Sequence, residues 1–394
     1  MKPRTSLAPK SSRSLARKRW TRALGTAAAL SATTLAAQAQ PAPGPSLQLY
    51  GLVDAAMGRF AGPAAGINAQ DRAVTKLDGG GMSTSHWGVR GTEDLGGGLS
   101  AQFELSSFVR NDSGATGRSD ALPAPVNVAA DPVFSRAAWV GVSHRDWGRV
   151  RLGNVTSLLF LNSITSNAFG DSTVLGPLNL VTFIASPLSG GTGWANSVVY
   201  DSPSVAGFNA SVAHAISEGQ GGGNSAARLA YAQGPWAASL AWQSVKKNPG
   251  TFADGTSPND TRAWQLAASY DFEVVKLFAH LGRIDNRGTA AAPLNLSYRV
   301  WDVSAAVPVG AGRVLAGYAV RRTSDTVGPV PATVAGGNVE RKVFTLGYDY
   351  FLSKRTDMYA MVMRDSTQTR TLPAPPSVVS AQGTGFAVGV RHRF

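Results

Sequence analysis

The segment Gly385-Phe-Ala-Val-Gly-Val-Arg-His-Arg-Phe394 closes the chain and carries most of the information about its fold. Phe386, Val388, Val390, His392 and Phe394 fall on one face at period two, and Ala387, Gly389, Arg391 and Arg393 on the other. An amphipathic strand with no turn after it leaves an open sheet edge, which soluble proteins avoid. A strand that pairs back onto the first strand has no edge. The expectation is a closed barrel, each strand turning an apolar face to lipid and a small or polar face to a lumen.

The rest of the chain repeats the pattern. Leu99, Ala101, Phe103 and Leu105 alternate with Ser100, Gln102, Glu104 and Ser106. Ala238, Leu240 and Trp242 alternate with Ser239, Ala241 and Gln243. Trp301, Val303, Ala305 and Val307 alternate with Asp302, Ser304 and Ala306, and Phe344, Leu346, Tyr348 and Tyr350 with Thr345, Gly347 and Asp349. Counting such runs predicts about sixteen strands. Short turns (Asp94–Gly98, Ser143–Gly148, Ser202–Gly207, Gly234-Pro235, Phe272–Val275, Pro308–Gly312, Leu352–Thr356) alternate with long segments near 59–81, 109–133, 156–193, 217–225, 246–261, 284–296, 323–340 and 365–384. The long segments are rich in Gly, Pro, Ser, Asn and Asp. Short turns on one rim and long loops on the other make an all-β, sixteen-stranded antiparallel transmembrane β-barrel of the bacterial outer-membrane type. Trp87, Trp139, Trp147, Trp236, Tyr270, Tyr348 and Tyr359 lie near strand ends and are expected in the interfacial girdles.

Composition agrees. Charged residues are 15% of the chain, against roughly 25% in soluble domains, yet no segment beyond residue 39 is apolar for the length of a spanning helix. Residues 1–39 read as a secretory signal: eight Lys and Arg without an acid, an Ala-rich apolar stretch from Ala23 to Ala36, and the cleavage triplet Ala37-Gln38-Ala39. Residues 40–394 are then the barrel domain. Removing eight of 37 basic residues leaves 29 against 24 acids, a net charge of +5. Most of the basicity belongs to the signal and argues for no nucleic-acid partner. The absence of cysteine removes disulfides and thiolate chemistry.

Sixteen strands enclose a lumen too wide for wall side chains to fill, so something must narrow it. The segment from Thr156 to Gly193, the third long loop, is the candidate. It contains Leu158-Leu-Phe-Leu161 and Leu178-Asn-Leu-Val-Thr-Phe-Ile184, and its one ionisable residue is Asp171. Such apolar content predicts a loop folded into the lumen. Strand parity turns His86 and Arg90 inward, away from Trp87 and Val89, and Glu104 inward on the next strand. Arg136 faces the lumen if Trp139 faces lipid. Arg151, Arg262, Arg283, Arg313 and Arg321 belong inside or at a rim, since an arginine facing lipid at mid-bilayer costs about 2–4 kcal/mol.

Several motifs together resemble the general diffusion porins of Gram-negative outer membranes, closest to the beta-proteobacterial branch. They are Ser46-Leu-Gln-Leu-Tyr-Gly-Leu-Val-Asp54, the run from Trp87 through the Gly96-Gly97-Gly98 turn to Glu104, Arg136-Ala-Ala-Trp-Val-Gly-Val142, Asn196-Ser-Val-Val-Tyr-Asp-Ser-Pro203, Gly347-Tyr-Asp-Tyr-Phe-Leu-Ser-Lys-Arg-Thr356 and Gly389-Val-Arg-His-Arg-Phe394. The resemblance implies a homotrimer, passive diffusion of small hydrophilic solutes, contact with outer-membrane lipid and lipopolysaccharide, and recognition of Phe394 by the outer-membrane assembly machinery. It also implies a constriction with basic wall residues facing acids on the third loop. Arg136 and Arg90, with His86, would form the basic side, and Glu104 and Asp171 the acidic side. Arg151 joins the lumen lining. Ala168 replaces an acid of the family stretch, and Asn154 stands where an Arg is frequent. With the +5 charge and nearly uncharged loop, this gives a mild anion preference. A substrate-specific pore for organic anions or short peptides is the alternative.

Catalysis has little to work with. The five histidines (His86, His144, His214, His280, His392) sit in no Ser–His–acid or zinc-binding motif, and no nucleophile elbow is present. Gly310-Ala-Gly312 is followed by Val314, Ala316, Tyr318 and Val320 at period two, so it reads as a hairpin turn and not a dinucleotide loop. No enzyme activity, cofactor or metal is expected, and an outer-membrane lipid hydrolase is the distant alternative.

Overall fold

The computed structural model describes residues 45–63, 71–118, 131–183, 190–218, 222–246, 260–288, 293–325, 339–371 and 377–394. The expected signal segment lies outside them. Eighteen strands form one antiparallel sheet: β1 (Ser46–Pro63), β2 (Asp71–Asp78), β3 (His86–Gly96), β4 (Leu99–Arg110), β5 (Ala115–Thr116), β6 (Ala137–His144), β7 (Gly148–Thr156), β8 (Gly193–Asp201), β9 (Phe208–Ala215), β10 (Asn224–Gln233), β11 (Trp236–Val245), β12 (Thr261–Asp271), β13 (Lys276–Gly288), β14 (Pro293–Val309), β15 (Gly312–Asp325), β16 (Val339–Phe351), β17 (Thr356–Thr371) and β18 (Ser377–Arg393). β3 pairs with the first half of β1 and β2 with its second half, so β2 and β3 are two halves of one wall strand. β5 is a two-residue extension on the end of β4. The wall therefore has sixteen strands.

The wall closes where the sequence predicts. β18 pairs with β1 from Leu52↔Arg393 to Arg59↔Phe386. Beyond that ladder, Gly51 N–H donates to Phe394 O at 3.2 Å and Phe394 N–H to Gly51 O at 3.1 Å. A Cβ on Gly51 would lie 2.5 Å from the Phe394 ring, so this seam needs a glycine there. The short turns also fall as expected. At the first, Gly96, Gly97 and Gly98 all have positive φ, the left-handed region that favours glycine.

Burial separates the two faces of the wall. On β11, Leu240 and Trp242 are 47% and 43% exposed, while Ala241 and Gln243 between them are fully buried. The exposed apolar face is the one that meets lipid. The buried face is covered from within by the segment between β7 and β8, which carries α1 (Leu158–Ile164) and α2 (Pro177–Thr182). Leu159 packs with Ala241, Ala263, Ile284 and Tyr298. Leu178 and Val181 pack with Leu315, Ala319, Val343 and Met361. Each fully buried Leu contributes about 1.5–3 kcal/mol, which is why a loop poor in charge lies on the wall. Polar ties fix its path. The Ser157 hydroxyl caps α1 by accepting from Phe160 N–H. Arg341 donates to Leu180 O (3.0 Å) and Arg321 to Val181 O (3.3 Å), placing two cations at the C-terminal end of α2.

Three expectations change. The segment 59–81 is not all loop, because β1 and β2 continue as a paired ribbon, and several other strands extend into the expected loops. Backbone pairing carries these extensions, so no apolar alternation marks them. Trp139 and Tyr359 are not girdle residues but face inward: Trp139 pairs opposite Glu104, and buried Tyr359 donates to Asp54. Nearness to a turn sets a residue's height on the wall, not its face.

Candidate functional site

Tyr50 on β1 organises one side of the lumen. Its hydroxyl donates to Glu104 on β4. Arg136 reaches the same group, with Nη1 3.1 Å from Glu104, 3.3 Å from the Tyr50 hydroxyl and 3.3 Å from Ser106 Oγ. Arg90 on β3 lies 4.8 Å above the Tyr50 ring and donates to Gln48 at 2.8 Å. The His86 ring packs edge-on to Tyr50 at 6.3 Å, and its Nδ1 donates to Thr84 O at 2.9 Å. Four of the sequence-selected residues, His86, Arg90, Glu104 and Arg136, thus gather around one tyrosine. Glu104 sits among the basic residues, not across the lumen from them.

Arg136 arrives by a route that parity does not describe. Trp139 faces inward, so simple alternation would send Arg136 outward. Arg136 instead precedes β6 on a bend, where its N–H donates to Ser106 O at 3.2 Å. Asn154 Nδ2 donates to Phe134 O (3.3 Å) and Ser135 O (3.1 Å), holding the preceding backbone.

Arg151 belongs to a second group. Arg149 and Arg151 share a face of β7; each approaches Asp201 Oδ2 on β8 at 3.0 Å and lies over the Trp139 ring, at 5.7 and 5.5 Å. Trp139 Nε1 donates to Glu104 at 3.2 Å, which joins the two groups into one strip. Arg228 on β10 extends it, donating to Asn162 Oδ1 (3.2 Å) of α1 and to Thr165 Oγ1 (3.3 Å) just beyond it. Tyr50, Arg149, Asp201 and Arg228 join the site without having been expected there. The sequence signal for Arg149 is its shared parity with Arg151; Tyr50, Asp201 and Arg228 enter through contacts between distant strands.

Asp171 lies apart, on the loop between α1 and α2. It accepts from Ser83 Oγ at 2.8 Å. Ser83 belongs to the turn between β2 and β3, which buried Asp54 clamps by accepting from Met82 N–H (2.9 Å) and Ser83 N–H (2.7 Å). Ser172 Oγ donates to Gly81 O of the same turn at 2.7 Å. Ala168 is buried, with its N–H donating to Ser304 Oγ at 3.1 Å, where a carboxylate would be desolvated. Arg262 and Arg283 lie on the outward face near the long-loop rim, beside Asp260 and Asp285, whereas Arg313 and Arg321 face inward. Among the described residues, no three His, Asp or Glu side chains gather as a metal site would require. The strip offers fixed positive charge along the inner wall.

A family model described as Gram-negative porin matches residues 26–370. An outer membrane porin protein of Bordetella pertussis is 27% identical over 93% of this chain and 98% of its own length. Outer membrane porin protein 32 of Delftia acidovorans is 31% identical over 89% of this chain and 94% of its own. Among solved structures, an anion-selective porin from Comamonas acidovorans superposes with a TM-score of 0.68 at 26% identity, over 89% of this chain and all of that one.

Proposed function

This chain belongs to the Gram-negative porin family, and from that premise we propose a channel with a mild preference for anions, set by the arginine strip. As an outer-membrane porin it lets small hydrophilic solutes and ions diffuse through a water-filled lumen. The selectivity reading is carried by one observation. The strip brings together five guanidiniums (Arg90, Arg136, Arg149, Arg151, Arg228) and two carboxylates (Glu104, Asp201). Adding Asp171 gives 5 − 3 = +2. A surplus of fixed basic charge beside an ion path favours anions. The Comamonas relative named as anion-selective supports the same sign. The test is a reversal potential across purified channels in a salt gradient, where clear cation selectivity would overturn the reading. No catalytic step is assigned to the chain.

The proposal extends to processing and partners. Residues 1–39 would be removed, which N-terminal sequencing of the outer-membrane protein would check. The chain would assemble as a homotrimer, giving current steps in threes, and Phe394 would be its handle for the assembly machinery. Contact with lipopolysaccharide has physical support. Arg283, Arg299 and Arg322 stand directly opposite one another on β13, β14 and β15, on the outward face toward the long-loop rim. Arg283 pairs with Asp285 and Arg322 with Glu340; among the described residues Arg299 has no carboxylate partner. Like charges directly opposite repel, and Trp264, opposite Arg283, marks an interfacial height. Lipid phosphates at that height would neutralise the row.

A further inference from the structure

We propose that the lumen carries, on the short-turn side of the third loop, a binding pocket for a small organic anion with a flat apolar body, such as an aromatic carboxylate. This rests on the channel reading above and names a solute class that the channel would retain. A cavity of about 370 Å³ lies between the Asn167–Asp171 segment and the inner wall formed by β13, β14, β15, β18 and β1. Its size falls in the range of small-molecule sites, about 300–1,000 Å³.

Two kinds of side chain line it. Phe278, from β13, and the edge of the buried Phe169 ring, from the loop, supply apolar surface. Lys276, Arg313, Arg391 and Arg393 supply positive charge from the strand ends nearest the short turns. Three of these cations are partly committed. Arg313 donates through Nε and Nη2 to Asp349, at 3.2 and 2.9 Å. Arg393 donates through Nη1 to Asp357 at 2.8 Å. Buried Arg391 bridges Asp357 and Ser83, at 2.9 Å each. Lys276 contacts the Phe278 ring at 5.6 Å and has no carboxylate partner among the described residues.

Charge favours an anion. Arg313, Arg391 and Arg393 share Asp349 and Asp357, whereas Lys276 has no carboxylate partner among the described residues. Arg313 and Arg393 are 37% and 43% exposed in their side chains, so their remaining N–H donors are open to a ligand. The carboxylate would meet Lys276 and these donors, and the ring would lie against Phe278. A hydrophilic ion such as acetate would gain only the charge contact, and a neutral aromatic only the apolar one.

The pocket adjoins the arginine strip at Asp171, but none of the strip's arginines lines it. Solutes that pass the strip would linger here, and solutes entering from the short-turn side would meet it first.

The experiment is current block of the full-length mature channel in planar bilayers, with benzoate, acetate or benzyl alcohol added to each side in turn. Block is normalised to each protein's own potassium chloride conductance. Benzoate should interrupt the current in a saturable way, more strongly from one side, and acetate and benzyl alcohol should not. Lys276→Gln should weaken benzoate block about three- to fivefold, the loss of one partly exposed charge contact. Phe278→Leu should weaken benzoate block without altering the response to acetate, and it keeps the test open if the lysine variant does not fold. Equal effects of benzoate and acetate, or benzoate block unchanged in both variants, would overturn the pocket. Absence of any potassium chloride conductance would instead overturn the channel reading.

Discussion

Replacing Arg136 with alanine tests the selectivity reading most directly. Arg136 Nη1 is held by Glu104, Tyr50 and Ser106, so its charge is fixed in position. Removing it lowers the surplus from +2 to +1 and leaves Glu104 with only the donors of Tyr50, Ser106 and Trp139. For an ion passing ~6 Å from the lost charge, the interaction in water is ~0.7 kcal/mol. At 0.1 M salt the Debye length is about 10 Å, which leaves ~0.4 kcal/mol. The change has opposite sign for anion and cation, so their ratio shifts by ~0.8 kcal/mol, about fourfold. At 1 M salt the Debye length is about 3 Å and the expected shift is only about 1.4-fold. The assay is the zero-current potential across a salt gradient, at low and high mean salt, for the native protein, Arg136→Ala and Arg136→Lys. The lysine variant should keep the native ratio. An alanine variant with native selectivity at low salt would mean that Arg136 does not face the ion path. An equal fall at both salts would mean that the pore changed shape instead of charge.

Arg341→Met should strand the fully buried Asp365 carboxylate and free the end of α2. A loss of about 3–5 kcal/mol in unfolding free energy, read from denaturant titration, is expected, with partial recovery in Arg341→Met/Asp365→Leu. Gly51→Val should push Phe394 off the seam at a cost of about 1–3 kcal/mol, read as loss of the folded, heat-modifiable band on a denaturing gel. If that band is undiminished, the seam does not depend on the glycine. The triple variant Arg283→Gln/Arg299→Gln/Arg322→Gln should co-purify with less lipopolysaccharide, as judged by its phosphate content, while conducting normally; native phosphate content would remove the outward row from the account of lipid contact.

The sequence determined the wall and left the lumen largely open. A period-two pleat is a local property, so alternation, turn residues and an amphipathic final strand were enough to give sixteen strands, closure at Phe394 and most of the lipid-facing set. It also marked the Thr156–Gly193 segment as one needing an apolar surface to lie on. The interior arrangement depends on contacts between residues far apart in sequence. Asp171 is tied to Ser83 because Asp54 folds the β2–β3 turn inward, and nothing near Asp171 in the chain announces that. Arg136 turns into the lumen through a bend held by Asn154, a strand away, where parity no longer applies. Glu104 has the predicted face but joins the basic wall, because its neighbours around the barrel are Tyr50, Arg136 and Trp139. Parity gives the face of each side chain once its strand is regular. Only closure of the barrel, with a loop packed inside it, decides which of those side chains meet.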